Sequence, residues 1–137
     1  AATHLGIAQA TTDLAVAYAK ERTQFDRAIG SFQALKHVMA DMLTRSEVAR
    51  GAVYAAAVTL DDPIVGSVRR AVASAKITAS EAAIANTKAS VQVHGGMGFT
   101  WEVPVHWQLK RAYALDPLFG DTDEHAETMA DELVAAP

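Results

Sequence analysis

Between Pro63 and the glycine loop that starts at Gly95, the chain places Ile77, Ile84 and Val91 seven residues apart, and Val68, Val72, Ala75, Ala79 and Ala82 fill the same broad seam. A pattern of that period predicts one helix from about residue 64 to residue 93, roughly 45 Å long at about 1.5 Å per residue. A helix of that length whose seam is largely alanine must be approached closely by its neighbours.

The rest of the chain supplies them. Leu5, Ala8, Leu14, Ala17 and Tyr18 recur at helical spacing in the first 21 residues, and Lys20 and Arg22 suit the negative end of a helix dipole. After the polar connection TQFDRAIGS, Leu35, Met39, Met42, Ala49 and Val53 mark a second helix from about 32 to 60, which the DDP sequence at 61–63 breaks. This helix is the natural antiparallel partner of the one that follows. Beyond the glycine loop, Pro104 suits a first helical turn, and Val105, Leu109, Ala112 and Leu115 form one side of a shorter helix that Pro117 stops. A last segment from about 121 to 134 opens on Asp121, Thr122 and Asp123 and is expected to bury Met129 and Leu133. There is no alternation long enough for a strand, no internal repeat and no low-complexity linker. The expected fold is all-α: an up-and-down four-helix bundle with one additional short helix, a single domain over residues 1–137.

Composition narrows the function. With 137 residues, 50% of them hydrophobic, the chain can build one core. A net charge of -4 with no basic run argues against nucleic acid and anionic membrane surfaces. No cysteine is present, so disulfides, thiolate metal sites and cysteine nucleophiles are excluded. The apolar runs are too short to span a bilayer, and the expected location is cytoplasmic. The chain opens already inside a helical pattern, so it is expected to be a piece of something longer.

The stretch QVHGGMGFTWE at 92–102 is unlike the packing segments around it. A glycine after a helix is commonly a C-cap, but three glycines in four positions exceed what a cap needs. The G-G-x-G spacing differs from G-x-G-x-x-G and no strand precedes it, which rules out a Rossmann fingerprint. A loop with bare backbone N–H groups that could meet a phosphate remains, with Gln92 and His94 as side-chain donors nearby. In the hinge ERTQFDRAIGSFQ, Arg22, Gln24, Phe25 and Gln33 read either as a helix end and a polar first turn or as part of the same site.

Together, R-x-x-F-x-x-x-I-x-x-F-Q-x-x-x-H-x-x-A-D-M and, some sixty residues later, Q-V-H-G-G-x-G-F-T-x-E-x-P-V resemble the C-terminal helical domain of the acyl-CoA dehydrogenase family. The likeness runs from the first helix to about Ala114. It implies an FAD-dependent oxidoreductase acting on acyl-CoA thioesters, assembled as a dimer of dimers, in which this domain holds the FAD of a neighbouring subunit and forms much of the oligomer interface. By that resemblance Arg22 pairs with the FAD pyrophosphate, Phe25 packs near the adenine half and Gln33 hydrogen-bonds the dinucleotide, while Gln92, Gly95 and Gly96 contact its diphosphate or ribose region. A diphosphate needs a fixed cation and oriented donors, and glycines let backbone approach it.

The same likeness puts Phe119 at the family's usual base position, a glutamate in most members, and phenylalanine cannot take a proton. Asp121, two residues later, and Asp116, three before, are the nearby carboxylates; a two-residue displacement is more than proton abstraction tolerates, and Asp121 reads rather as an ordinary helix cap. Other members draw the base from a position that would fall about five residues before Ala1. The family's N-terminal helical domain and middle β-domain are not represented in these residues, so the 137-residue chain alone is expected to be inactive. The LFGD pattern resembles members that act on steroid or other bulky CoA thioesters and assemble from two unlike chains.

Two readings compete with this one. A helical interaction or oligomerisation module that binds no flavin would not need the Arg22, Phe25, Gln33 and Gln92–Gly98 set. A metal site in DTDEHAE, with Asp121, Asp123, Glu124, His125 and Glu127, is the less expected reading, because acidic residues opening a helix ordinarily match its dipole; no metal is expected.

Overall fold

The computed structural model describes residues 1–134; residues 135–137 lie outside the described residues. Five α-helices follow in order: α1 (Ala2–Glu21), α2 (Gln33–Asp61), α3 (Val68–His94), α4 (Val105–Leu115) and α5 (Thr122–Val134). The first four form the expected bundle and α5 is the additional short helix.

α3 is the central element, packing against each of the other four. Its buried residues are mostly small, including Ala73, Ala75, Ala79, Ala82, Ala83, Ser80 and Ser90, and they lie around the helix rather than along one stripe. That explains a difference from the heptad reading. Ile77 and Ile84 are only half-buried, because the closest helix approaches fall on alanine and serine, and the bulkier side chains fill the gaps between helices. Leu5 and Ala8 of α1 meet Ala49 of α2 and Ala79 and Ala82 of α3 in one cluster, and Ala15, Ala19, Met42 and Val93 form a second with Ile29. A third joins Ile7, Ala83 and Ala112, bringing α4 onto α1 and α3. Ala17, expected to face inward, is exposed, because it lies two residues, about 200° of helical turn, from each of the buried Ala15 and Ala19.

A polar residue sits where the first three helices meet. Asn86 is fully buried, and its Nδ2 is 2.8 Å from the Met42 carbonyl, 3.0 Å from Ser46 Oγ and 3.2 Å from Thr12 Oγ1. Only one register of α1, α2 and α3 brings those acceptors together, so the contact selects an alignment that apolar burial alone leaves loose.

Three boundaries differ from the sequence reading. Helix three does not start near Ile64: Pro63–Val65 is a separate short turn, Gly66 is extended, and Ser67 caps α3 by accepting the Arg70 N–H at 3.2 Å. A two-residue antiparallel ladder pairs Thr23 with Ala28 and Gln24 with Arg27, too short to leave any alternation in the sequence. Leu133 is exposed rather than buried. The α5 end is held instead by Glu132, which accepts from Ser67 Oγ at 2.5 Å and pairs with Arg69 at 3.4 Å, while Met129 is half-buried.

Candidate functional site

The ladder after α1 closes through Phe25 and Asp26, whose φ values are 53° and 61°. Two successive left-handed residues make the tight hairpin that matches strand twist, a conformation that favours Gly or Asn and that a phenylalanine adopts at a cost of about 1–2 kcal/mol. The strain holds the Phe25 ring out, 85% exposed, with its edge toward Phe32 at a centroid distance of 6.1 Å. The Arg27 guanidinium lies over the other ring of that pair, 4.0 Å from the Phe32 centroid. Arg22 ends α1 in an extended conformation, its N–H donating to the Tyr18 carbonyl and its own carbonyl accepting from Ile29 at 2.8 Å. Among the described residues its side chain forms no ion pair.

Opposite the hairpin, α3 stops at Gly95, where φ is 59° and the N–H donates to the Gln92 carbonyl. The three glycines divide the work. Gly95 supplies the positive φ. A Cβ on Gly96 would meet nothing within 4 Å, so that side is open. Gly98 is a packing residue: a Cβ there would fall 2.6 Å from the Val91 carbonyl oxygen.

Hinge and loop enclose one open groove of about 630 Å³, lined by Arg22, Gln24, Phe25, Gln92, Gly95 and Gly96 together with Tyr18, Phe32 and His94. Its size lies within the ordinary range for small-molecule sites. Five of the six residues singled out for cofactor contact therefore converge. Gln33 opens α2 on an exposed surface and does not line the groove.

Tyr18 and Phe32 line the groove as well, beyond the residues that the sequence singles out for it. Tyr18 lies four residues before Arg22 and so on the same face of α1, a spacing the sequence does display. His94 is buried and stacked on Tyr18 with centroids 4.3 Å apart. Its Nδ1 is 2.7 Å from the Ser90 carbonyl, so the Nδ1 proton points into the helix and not toward the groove.

The position expected for a base lies on a second surface. Phe119 has φ 64° and is 96% exposed, and Gly120 follows at φ 92°. Buried Lys76 donates to the Asp116 carbonyl at 2.6 Å and the Leu118 carbonyl at 3.0 Å, and His125 Nε2 donates to the Phe119 carbonyl at 3.0 Å. Asp121 Oδ1 accepts the Glu124 N–H at 2.9 Å, and Glu124 Oε2 accepts the Asp121 N–H at 3.1 Å, a reciprocal cap that ties both carboxylates to the α5 start. Three of the five residues weighed as metal ligands, Asp121, Glu124 and His125, are thus engaged as a cap and a turn anchor, and no cluster of three or more such groups able to hold a metal lies among the described residues.

Next to the Phe119 turn, Lys76, His4 and Leu118 line a cavity of about 100 Å³. Burial pushes the His4 imidazole below its ordinary pKa, with the positive charges of the Ala1 amino group and, less strongly, Lys76 adding to the effect and the Ala112 carbonyl and Asp116 opposing it. No helix among the described residues is long and apolar enough to cross a membrane.

The acyl-CoA dehydrogenase C-terminal domain matches residues 1–134. The chain is 41% identical over 97% of its length to acyl-CoA dehydrogenase IpdE2 of Mycolicibacterium smegmatis, and 45% identical over 88% of its length to acyl-CoA dehydrogenase FadE34 of Mycobacterium tuberculosis. It spans 40% and 17% of the lengths of those two relatives. Among solved structures it superposes on butyryl-CoA dehydrogenase from Megasphaera elsdenii with a TM-score of 0.91 at 32% identity, covering 96% of this chain and 34% of that one. On the match over residues 1–134 and these relatives, the chain belongs to the acyl-CoA dehydrogenase C-terminal domain family.

Proposed function

We propose that this chain is the C-terminal domain of an FAD-dependent acyl-CoA dehydrogenase, in which it holds part of a neighbouring subunit's FAD and contributes to the oligomer interface. The observation that carries the reading is the convergence of Arg22, Phe25, Gln92, Gly95 and Gly96, distant in sequence, on one groove. The residues fit the cofactor. Arg22 is a cation without an ion pair among the described residues, Gly95 and Gly96 leave space where a Cβ would stand, and Phe25 and Phe32 give an aromatic wall. Arg22 and the loop glycines would hold the diphosphate, and Phe25 the adenine half; Gln33 would reach the dinucleotide only from outside this groove.

When bound, FAD supplies the hydride acceptor for α,β-dehydrogenation of an acyl-CoA thioester. The base that takes the α-proton comes from outside the groove, and Phe119 cannot serve. Asp121 is a poor substitute, because its carboxylate is committed to the α5 cap. The substrate is a fatty or steroid acyl-CoA, and the base is supplied by residues beyond these 137 or by an unlike partner chain. The outer face of α2, with Leu43, Val48, Tyr54 and Val58 exposed, supports an oligomer, homomeric or heteromeric, through this helix.

The test is flavin content of the assembled protein. Arg22→Ala should lower FAD retention by about tenfold or more, as loss of a charge-assisted contact does. Unchanged flavin content would leave the interaction-module reading in its place.

A further inference from the structure

We propose that His94 is a further cofactor-binding residue of this groove, its Nε2 accepting a hydrogen bond from a sugar hydroxyl of the dinucleotide beside the diphosphate. The proposal rests on the FAD reading above and assigns a role to a residue outside the set that the resemblance supplied.

The argument is one of hydrogen-bond logic. The Ser90 carbonyl can only accept, so the 2.7 Å contact places the imidazole proton on Nδ1. A neutral imidazole carries a single N–H, which leaves Nε2 with a lone pair. Among the described residues that nitrogen has no hydrogen-bond partner. The ring cannot turn away to find one, since it is buried and stacked on Tyr18 at 4.3 Å with planes 26° apart. His94 therefore presents a fixed acceptor to the groove it lines, next to Gly95 and Gly96.

An acceptor selects what it meets. Diphosphate oxygens are acceptors too and are served by Arg22 and the loop N–H groups. The donors that flank a dinucleotide's diphosphate are the ribose and ribityl hydroxyls. A hydroxyl both donates to His94 Nε2 and keeps its own lone pairs free for the donors around it, such as Gln92. The arrangement thus reads a sugar next to the phosphates and gives a reason for histidine after Val93 where packing alone would accept any planar side chain.

The experiment measures FAD affinity of the assembled flavoprotein after removal and re-addition of FAD, for the unsubstituted protein, His94→Phe, His94→Gln and Arg22→Ala. His94→Phe keeps a ring against Tyr18 and removes the acceptor; it should weaken FAD about tenfold, the loss expected for one hydrogen bond. His94→Gln, with a carbonyl acceptor, should recover most of that. Equal losses in His94→Phe and His94→Gln would assign the effect to shape and overturn the proposal. Loss in Arg22→Ala with none in His94→Phe would overturn it while leaving the FAD groove standing, and no loss in either would end both. FAD analogues lacking single ribose or ribityl hydroxyls test the unsubstituted protein independently of folding. One of them should bind about tenfold more weakly, and uniform binding of all would overturn the assignment.

Discussion

Lys76, buried in the first half of α3, donates to the Leu118 carbonyl at 3.0 Å, so the turn that presents Phe119 hangs from the central helix. The same ammonium holds the Asp116 carbonyl at 2.6 Å. Replacing Lys76 by Met fills similar space but leaves both carbonyls without their donor. The expected cost is about 1–3 kcal/mol, read by denaturant unfolding, with faster proteolysis around 116–120. Unchanged stability would mean that solvent replaces the ammonium without loss.

His4 predicts the direction of a pH response. Burial holds its folded-state pKa below the ordinary 6.5. Above that value both folded and unfolded chains carry a neutral imidazole and His4 has no effect on the balance. As pH falls below it, the unfolded chain takes up a proton that the folded chain resists, so stability drops with acid. Thermal melts at stepped pH should show Tm declining below about 6.5, and His4→Gln should flatten that slope while leaving the melts near pH 8 nearly parallel. An equally steep decline in His4→Gln would move the effect to other groups.

The two glycines at 96 and 98 separate packing from binding. Gly98→Ala drives a Cβ to 2.6 Å from the Val91 carbonyl oxygen, backbone that cannot easily yield, and should destabilise by roughly 1–3 kcal/mol. Gly96→Ala meets nothing within 4 Å and should fold normally. If the groove takes a dinucleotide, the second variant weakens flavin binding without altering the Tm of the flavin-free protein, and the first lowers Tm whether flavin is present or not.

Phe25 and Asp26 make a similar pair. Both hold positive φ, so glycine at either position relieves strain on the order of 1 kcal/mol. Asp26→Gly should therefore raise Tm with flavin affinity unchanged. Phe25→Gly should raise it comparably and weaken FAD, the signature of a residue kept in a costly conformation for its side chain. Equal flavin affinity in both variants would leave Phe25 without a binding role.

The helices could be read from the sequence because apolar spacing, Pro63, Pro104 and Pro117 are local signals. What stayed hidden was non-local or short. Asn86 joins Thr12, Ser46 and Met42 from two other helices, and nothing near it in sequence marks that meeting. The hairpin at Phe25 and Asp26 lacks the Asn-Gly type of signal that announces such a turn. Leu133 looked inward by spacing, but α5 leans on α3 through Glu132 near its end, which rotates that leucine to solvent. Most of the groove was legible because its two halves carry unusual residue types. Tyr18 was harder, since a tyrosine at helical spacing looks like ordinary packing, and for His94, read beside the loop as a donor, only the Ser90 carbonyl and the stacked rings show that its proton is held by the helix and where Nε2 is left.

The central position of α3 makes it a ruler. Lys76 anchors the turn of residue 119 and Gln92 opens the groove loop, sixteen positions later on the same unbroken helix. At about 1.5 Å per residue the two stations stand roughly 24 Å apart along the axis. Four neighbouring helices brace that shaft, so its length is not adjustable by side-chain change. A one-residue deletion anywhere between Ile77 and Val91 would shorten the gauge by about 1.5 Å and rotate one station against the other by about 100°. Point substitutions there test packing; only a deletion tests whether the spacing between the two ends matters.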